Sequence, residues 1–528
     1  MFFAILFASI LFLILYIYTS VLKPFIEFKQ LGVPFVNPLK AMKSTLDIMT
    51  SRVAFIDVIK ETYNSFPEAR YFGTFNFATP VLYIRDVELI KKITIKDFDY
   101  FTDHSNVLAP NSQDIFSKNL FSMKGAAWKE MRGTLSPAFT SSKMRNMFVF
   151  MNTCAENFVN HFVKKNEDLV EVEMRDILTK YTSDVIASAS FGVECNSTEN
   201  PENEFYRMGS HLTNPNKAML PKIFLFGIAP KVAQIFNMSL FPKKVADFFR
   251  KIVQESIQIR KEKNIVRPDM IHLLMEARKG QLVHETTSDT DTGFATVQES
   301  EIGKEKTSTK LSDEDIAAQA IAFFFAGFDT TASTMSFMAF ELAKNPDVQE
   351  KLQQEIDDVL ETSQGKVSYE TITKMKYLDQ VLSETLRKWT PGLQSDRLCV
   401  RNYIIPAEKP NEQPYWIKKG ELVIIPNIGL HYDPQYFPNP DQFDPDRFSD
   451  ENKKNIVPGS YIPFGSGPRN CIGSRFALLE IKVLFLHILS KFDLVFTEKT
   501  KLPLKLISVG FTMKPDGGFQ LGLKKRTL

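Results

Sequence analysis

The stretch PFGSGPRNCIGSRFALLE, residues 463–480, sets one cysteine into a glycine-rich turn that runs straight into an apolar helical pattern. Cys471 follows Arg469 by two residues and precedes Gly473 by two, with Gly465 and Gly467 upstream. A thiolate is a strong electron-donating ligand. It forms where backbone N–H groups, a helix N-terminus or a nearby cation lower the pKa of the thiol. This stretch offers all three. Its glycines permit tight turns and close approach of a flat ligand, a helix begins at Ile472, and Arg469 can meet an anionic group. Cys154, Cys195 and Cys399 are far apart and form no C-x-x-C pair, so neither a disulfide framework nor a zinc cage is indicated. That usage fits a reducing compartment.

A flat, anionic, iron-bearing ligand with a thiolate axial partner is heme. Histidine ligation is the competing idea, and none of the seven histidines has a comparable setting. A second stretch, AIAFFFAGFDTTAST (residues 320–334), suits the opposite face of such a ligand. Ala326 and Thr330 are four apart and share one helix face, with Phe323 beside them. A small residue leaves room over a cofactor. The Thr330 hydroxyl can bond a backbone carbonyl and loosen the helix locally, admitting water and an oxygen ligand. Alone, this stretch reads equally well as a core helix with a kink.

The decapeptide FGSGPRNCIG, Phe464 to Gly473, matches the F-x-x-G-x-R-x-C-x-G signature of the cytochrome P450 superfamily at every fixed position. The resemblance implies that Cys471 is the axial ligand of heme b iron, with Phe464, Gly465 and Ala326 against the cofactor. AGFDTT resembles the family's oxygen-activation motif, implying that Thr330 steers protons to dioxygen and that Asp329 helps relay them. WKEMR is similar to the family's W-x-x-x-R, so Trp128 and Arg132, with Arg397 and Arg469, would meet the heme propionates. ETLR and PDQFDPDRF resemble the segments whose Glu384, Arg387 and Arg447 form a buried structural network. By family position Phe325, Phe323 and Phe511 would face substrate, with parts of 104–122 and 391–396. The matching motifs run in the family's order over residues 120–480. The phrases FFFAGFDTTAS and RGTLSPAFTSSKMR look most like microsomal insect members that handle xenobiotics.

The implied reaction inserts one atom of dioxygen into an apolar small molecule. No G-x-G-x-x-G follows a strand, so electrons must come from a partner. By resemblance that partner is NADPH–cytochrome P450 reductase, which supplies NADPH electrons and docks on the cysteine side near Lys129, Lys453 and Lys454. Cytochrome b5 is a second candidate donor. A reductase-independent heme-thiolate isomerase and a heme-binding sensor are the alternatives. Both sit poorly with an intact Asp329–Thr330 pair. Oxidation of an endogenous hormone or lipid would use the same chemistry as detoxification.

Other elements must position these residues. The 528-residue chain carries 64 basic and 62 acidic side chains, so no global field points to nucleic acid. Residues 1–22, MFFAILFASILFLILYIYTSVL, carry no charge before Lys23. They read as an uncleaved membrane anchor with Tyr16 and Tyr18 at the interface, and Lys23 and Lys29 place the rest in the cytosol, on the endoplasmic reticulum membrane. Residues 23–44, with Pro24, Pro34 and Pro38, read as a stiff hinge, and 45–528 as one catalytic domain. Residues 284–310 are polar and read as a mobile surface loop, and 221–242 as core or a face dipping into the bilayer surface. Ser312 and the acids after it look like a capped helix start, and Asn345-Pro346 like another. TPVLYIRD and ELVIIP are short strand signals. Most of the 46 phenylalanines belong to an ordinary core, some to a greasy cavity. The expected fold is mainly α with small β-sheets, the cytochrome P450 fold, preceded by one transmembrane helix.

Overall fold

The run after Ser312 folds as a single 32-residue helix, Asp313–Lys344. Ser312 accepts the Asp315 N–H, and the Asp315 carboxylate accepts the Ser312 N–H, a capping box. Three acids occupy the positive end of the helix dipole. Beyond that turn the helix is buried on nearly all sides, as expected of a central core element.

The structure is a computed structural model that describes residues 7, 11, 15, 18–76, 79–105, 115–213, 222, 225, 238–239, 242–280, 293–304, 311–410, 412–509 and 512–527. In chain order the helices used below are α1 (Lys23–Gln30), α2 (Pro38–Met49), α3 (Gly125–Leu135), α4 (Ser141–Val163), α5 (Met174–Ile186), α6 (Lys243–Lys263), α7 (Asp313–Lys344), α8 (Pro346–Thr362), α9 (Lys376–Lys388) and α10 (Ser474–Leu489). The strands are β1 (Tyr71–Asn76), β2 (Thr79–Ile84), β3 (Leu169–Glu173), β4 (Ser395–Leu398), β5 (Leu422–Ile425), β6 (Phe492–Phe496), β7 (Thr512–Pro515) and β8 (Gln520–Lys525). Helices dominate, as expected.

The two strand signals pair with each other: Val81 of β2 lies parallel to Leu422 of β5, in a four-stranded sheet ordered β1-β2-β5-β4. That sheet carries Arg397 on β4, opposite Val423. A second sheet, β3-β8-β6, joins the C-terminal chain to the segment before α5. Asn345 does precede α8, and Val348, Leu352 and Ile356 are buried. Its side chain bonds backward to the Glu341 carbonyl, however, and caps nothing.

Residues 23–44, expected to be a hinge, contain α1 and the start of α2 and are docked on the first sheet. The Phe28 ring lies where a Cβ on Gly73 would stand, the Val36 N–H donates to the Gly73 carbonyl at 2.9 Å, and the Gly73 N–H donates to the Pro34 carbonyl at 2.8 Å. Among the described residues no helix is long and apolar enough to cross a membrane. The stretch 1–22 falls mostly outside those residues, as does 221–242.

Glu384, Arg387 and Arg447 come together, with Glu384 and Arg387 fully buried and Arg447 12% exposed. The Glu384 carboxylate accepts Arg387 Nε at 2.7 Å and the Asp444 N–H at 2.9 Å, with Arg447 Nε 3.6 Å away. Arg387 also donates to the carbonyls of His431, Pro440 and Gln442. Removing one member would strand a buried charge, which costs far more than the intact pair contributes. Glu384→Ala is therefore expected to lose about 3–5 kcal/mol of stability, measured as a fall in thermal midpoint. A change within about 0.5 kcal/mol would refute the structural role.

Candidate functional site

The cysteine loop is folded by its own glycines. Gly465 and Gly467 have φ of +78° and +74°, and a Cβ on Gly467 would overlap the Thr94 carbonyl oxygen. Asn470 N–H closes a turn onto Gly467, and Cys471 N–H donates to the Phe464 carbonyl at 2.9 Å. The loop then feeds α10 through Gly473. Burial pushes the Cys471 thiol up, and the Gly473 N–H and the Arg132 charge act in the other direction. A metal that binds the thiolate would offset the burial cost.

Cys471 is accessible although protein surrounds it, so its surface faces the molecular interior. On α7, Ala326 is likewise exposed while its neighbours Phe324 and Phe328 are fully buried. Phe139 links the two elements: its ring edge lies 4.0 Å from a Cβ built on Gly473, and its centroid 5.3 Å from that of Phe323. Thr330 Oγ1 donates to the Ala326 carbonyl at 2.5 Å, the local bond read from the sequence.

Asp329 does not share that face. Its buried carboxylate is ion-paired to Arg175 of α5 and accepts the Thr512 hydroxyl of β7 at 2.6 Å. The two phenylalanines also part company. Phe325 meets Phe116 edge-on at 6.4 Å, whereas Phe323 faces Phe139 beside the cysteine loop. Phe511 lies outside the described residues. Much of the phenylalanine excess is core, as expected: Phe191, Phe205, Phe249 and Phe328 pack around Phe324 with centroids 4.7–6.3 Å away.

Three guanidinium groups gather beside the loop. Arg397, 1% exposed, donates to the carbonyls of Asp396 and Ser466, and its Nε has no hydrogen-bond partner. Burial pulls its pKa down to about 10. Arg469 donates to Thr102, Leu120 and Met123 carbonyls and lies 4.0 Å over the Trp128 ring. Burial pulls it down to about 9, and the Arg397 and Arg132 charges push the same way. Arg132, the third, lies between the loop and Glu299. Four of its five donors are taken by Asn470 and Glu299.

Buried cations with an orphaned N–H, an inward-facing thiol and a small-residue helix face fit an anionic, flat, sulfur-ligated group, which is heme. Such a combination fits a heme-binding protein. The cytochrome P450 family model matches residues 57–521. Cytochrome P450 9e2 of Blattella germanica is 44% identical over 516 residues, covering 95% of this chain and 94% of that protein. Probable cytochrome P450 9f2 of Drosophila melanogaster is 42% identical over 510 residues, covering 94% and 95%. Cytochrome P450 6k1 of Blattella germanica is 34% identical over 512 residues, covering 97% and 95%. The chain belongs to the cytochrome P450 family and is a monooxygenase.

Sequence reasoning missed several residues around this site. Asp396 accepts His104 Nδ1 at 2.8 Å and the Ser105 N–H at 2.7 Å, next to Arg397. Arg175 and Thr512 hold Asp329 from elements with no motif of their own. His431 is fully buried between the Arg387 carbonyl, 3.1 Å from Nδ1, and the Ile462 N–H, which donates to Nε2 at 3.0 Å. Those partners assign the proton to Nδ1. The neutral ring thus joins the Glu384 network to the chain entering the cysteine loop.

Burial, then the Arg387 charge, pulls the His431 pKa down to about 3. The unfolded value is about 6.5, so the folded state resists protonation. Its contribution is complete above a pH of about 6.5 and is lost as pH falls from there toward the folded pKa. The acid limb of the thermal midpoint profile is therefore expected to be steeper for wild type than for His431→Gln. Parallel profiles would show that His431 is not buried as the neutral ring.

Proposed function

We propose that this monooxygenase inserts one atom of dioxygen into an apolar small molecule, xenobiotic or lipid-like, with NADPH electrons delivered by cytochrome P450 reductase. The observation that carries the reading is the inward-facing Cys471 with the Ala326–Thr330 face of α7 one phenylalanine away. Bound heme supplies the redox iron that activates dioxygen. The chain does the rest. Cys471 would ligate the iron through its sulfur, in a loop held by the Cys471 N–H bond to the Phe464 carbonyl. Arg397 and Arg469 would hold the carboxylates of the group, because both are buried cations whose hydrogen bonds go to neutral backbone carbonyls. Trp128, under Arg469, keeps that side dry.

Thr330 holds the proton next to the reacting centre. Its hydroxyl rests on the Ala326 carbonyl and can turn to donate elsewhere. Asp329 is a less direct relay, since Arg175 and Thr512 must release its carboxylate before it can pass a proton. Phe325 and Phe116 form one apolar wall, and Phe511 is a further candidate. That wall supports an apolar substrate.

Electrons enter from a partner, reductase or cytochrome b5, on the cysteine side. Lys129 and Lys453 there are engaged with Asp99 and Asp450 at 2.7 and 2.6 Å, exposed pairs that a partner's acids can exchange at little cost. The apolar stretch 1–22 supports an anchor in the endoplasmic reticulum membrane with the catalytic domain in the cytosol.

The carbon monoxide difference spectrum of the reduced protein is expected to show the red-shifted Soret band of thiolate-ligated heme, lost in Cys471→Ala. A band that survives this substitution would overturn the ligand assignment. Thr330→Ala should keep the band and slow NADPH- and reductase-dependent product formation by on the order of 10²-fold, the scale of a lost positioned proton donor. Unchanged turnover would remove Thr330 from the mechanism.

A further inference from the structure

The polar stretch 284–310 reads from sequence as a surface loop, yet its residues 293–304 pack along the cysteine side of the protein. The Phe294 N–H donates to Asp379 of α9 at 2.8 Å, and the Phe294 ring meets Phe448 and Tyr461 at 5.2 and 5.5 Å. Ala295 is 4% exposed. The Gln298 carbonyl accepts Asn470 Nδ2 at 3.3 Å, one residue before Cys471.

Glu299 is the centre of this contact. Its carboxylate accepts Arg132 Nε at 3.3 Å, Arg132 Nη2 at 2.8 Å and the Ser136 hydroxyl at 2.8 Å. The Ser300 N–H adds a fourth bond at 3.0 Å. The side chain is 12% exposed, so this pair is far less screened than a surface one. Arg132 turns its other donors to the Asn470 carbonyl and side-chain oxygen, both at 2.8 Å. A carboxylate, a guanidinium and an amide therefore form a chain that ends on the residue preceding the sulfur ligand.

We propose that Glu299 is a positioning residue for the Cys471 thiolate: it fixes Arg132, and through Arg132 and Asn470 the cysteine loop, and it balances the guanidinium charge that acts on the sulfur. This rests on the heme-thiolate reading above. Four of the five Arg132 donors are engaged in this chain of contacts. With Glu299 neutral, Arg132 becomes an unbalanced positive charge beside the ligand. Positive charge there favours the reduced iron centre, which carries one more electron than the oxidised one.

The test uses the full-length heme-loaded protein and measures the one-electron midpoint potential of the iron, with the carbon monoxide spectrum and thermal midpoint beside it. Glu299→Gln, which keeps size and loses charge, is expected to raise the potential and to hasten conversion of the red-shifted Soret band to the blue-shifted band of heme that has lost its thiolate. Glu299→Asp keeps the charge and should stay near the wild-type potential. A purely structural role would lower the thermal midpoint of both variants and leave the potential alone, and that result overturns the proposal. An equal shift in the Asp variant overturns it too, because charge would not be the cause. Wild-type protein without the red-shifted band would overturn the heme-thiolate reading itself, and this inference with it. A wild-type band with an unmoved Gln variant would sink this inference only.

Discussion

A cysteine sulfur crowded by protein, which the proposed function requires to carry negative charge, is the constraint on which this structure depends. Burial disfavours the thiolate, and only local dipoles, a cation and the bound metal can oppose that. The loop around Cys471 meets the demand with backbone. Its left-handed glycines turn the chain so tightly that the Cys471 and Gly473 N–H groups are both committed to local acceptors. The surrounding helices then supply the cation and the walls.

The same constraint explains why so much buried charge lies near one loop. Arg132, Arg397 and Arg469 would repel one another if left alone, and Asp103, Asp396 and Glu299 are set among them. On the far side of α9, Glu384, Arg387 and His431 form a second polar layer that reaches the loop entry at Ile462. Apolar packing holds these layers apart. Phe337 stacks on Trp389 at 4.4 Å, and Glu341 of α7 pairs with Lys388 of α9 at 3.0 Å, so the central helix is clamped to the polar layer at both levels.

What was legible in the sequence is what local chemistry dictates. Cys471 stood out because glycines, an arginine and a helix start occur within a few residues of it. The Thr330–Ala326 bond followed from helical spacing, and the Ser312 cap from residue type. The Glu384 network was legible only through resemblance, since an acid and a base three apart on a helix are commonplace. Partners that meet only in three dimensions were not legible. Nothing near Arg175 or Thr512 marks them as holding Asp329. Glu299 sits in a polar stretch whose composition resembles solvated loop, and its importance comes from Arg132, far away in sequence. Arg132 itself was assigned by motif to a propionate, and no motif announces its bond to Glu299. Strand positions were readable, but the parallel pairing of β2 with β5 was not, because register is a property of the whole fold.

That pairing has a consequence for how the protein is made. Tyr63 bonds Asp433 across 370 residues of chain, and Arg469 bonds Thr102 across 367. Contacts of such separation are slow to form, because a long stretch of chain must be ordered before they reward closure. During synthesis the N-terminal strands leave the ribosome long before β5 and the cysteine loop exist. The first half of the molecule must therefore wait, partly folded and with apolar surface uncovered, until the last quarter arrives. The loop around Cys471 is translated long after the N-terminal strands of the first sheet, so the wall of the site that it completes closes late, and a cofactor can enter while that wall is still open.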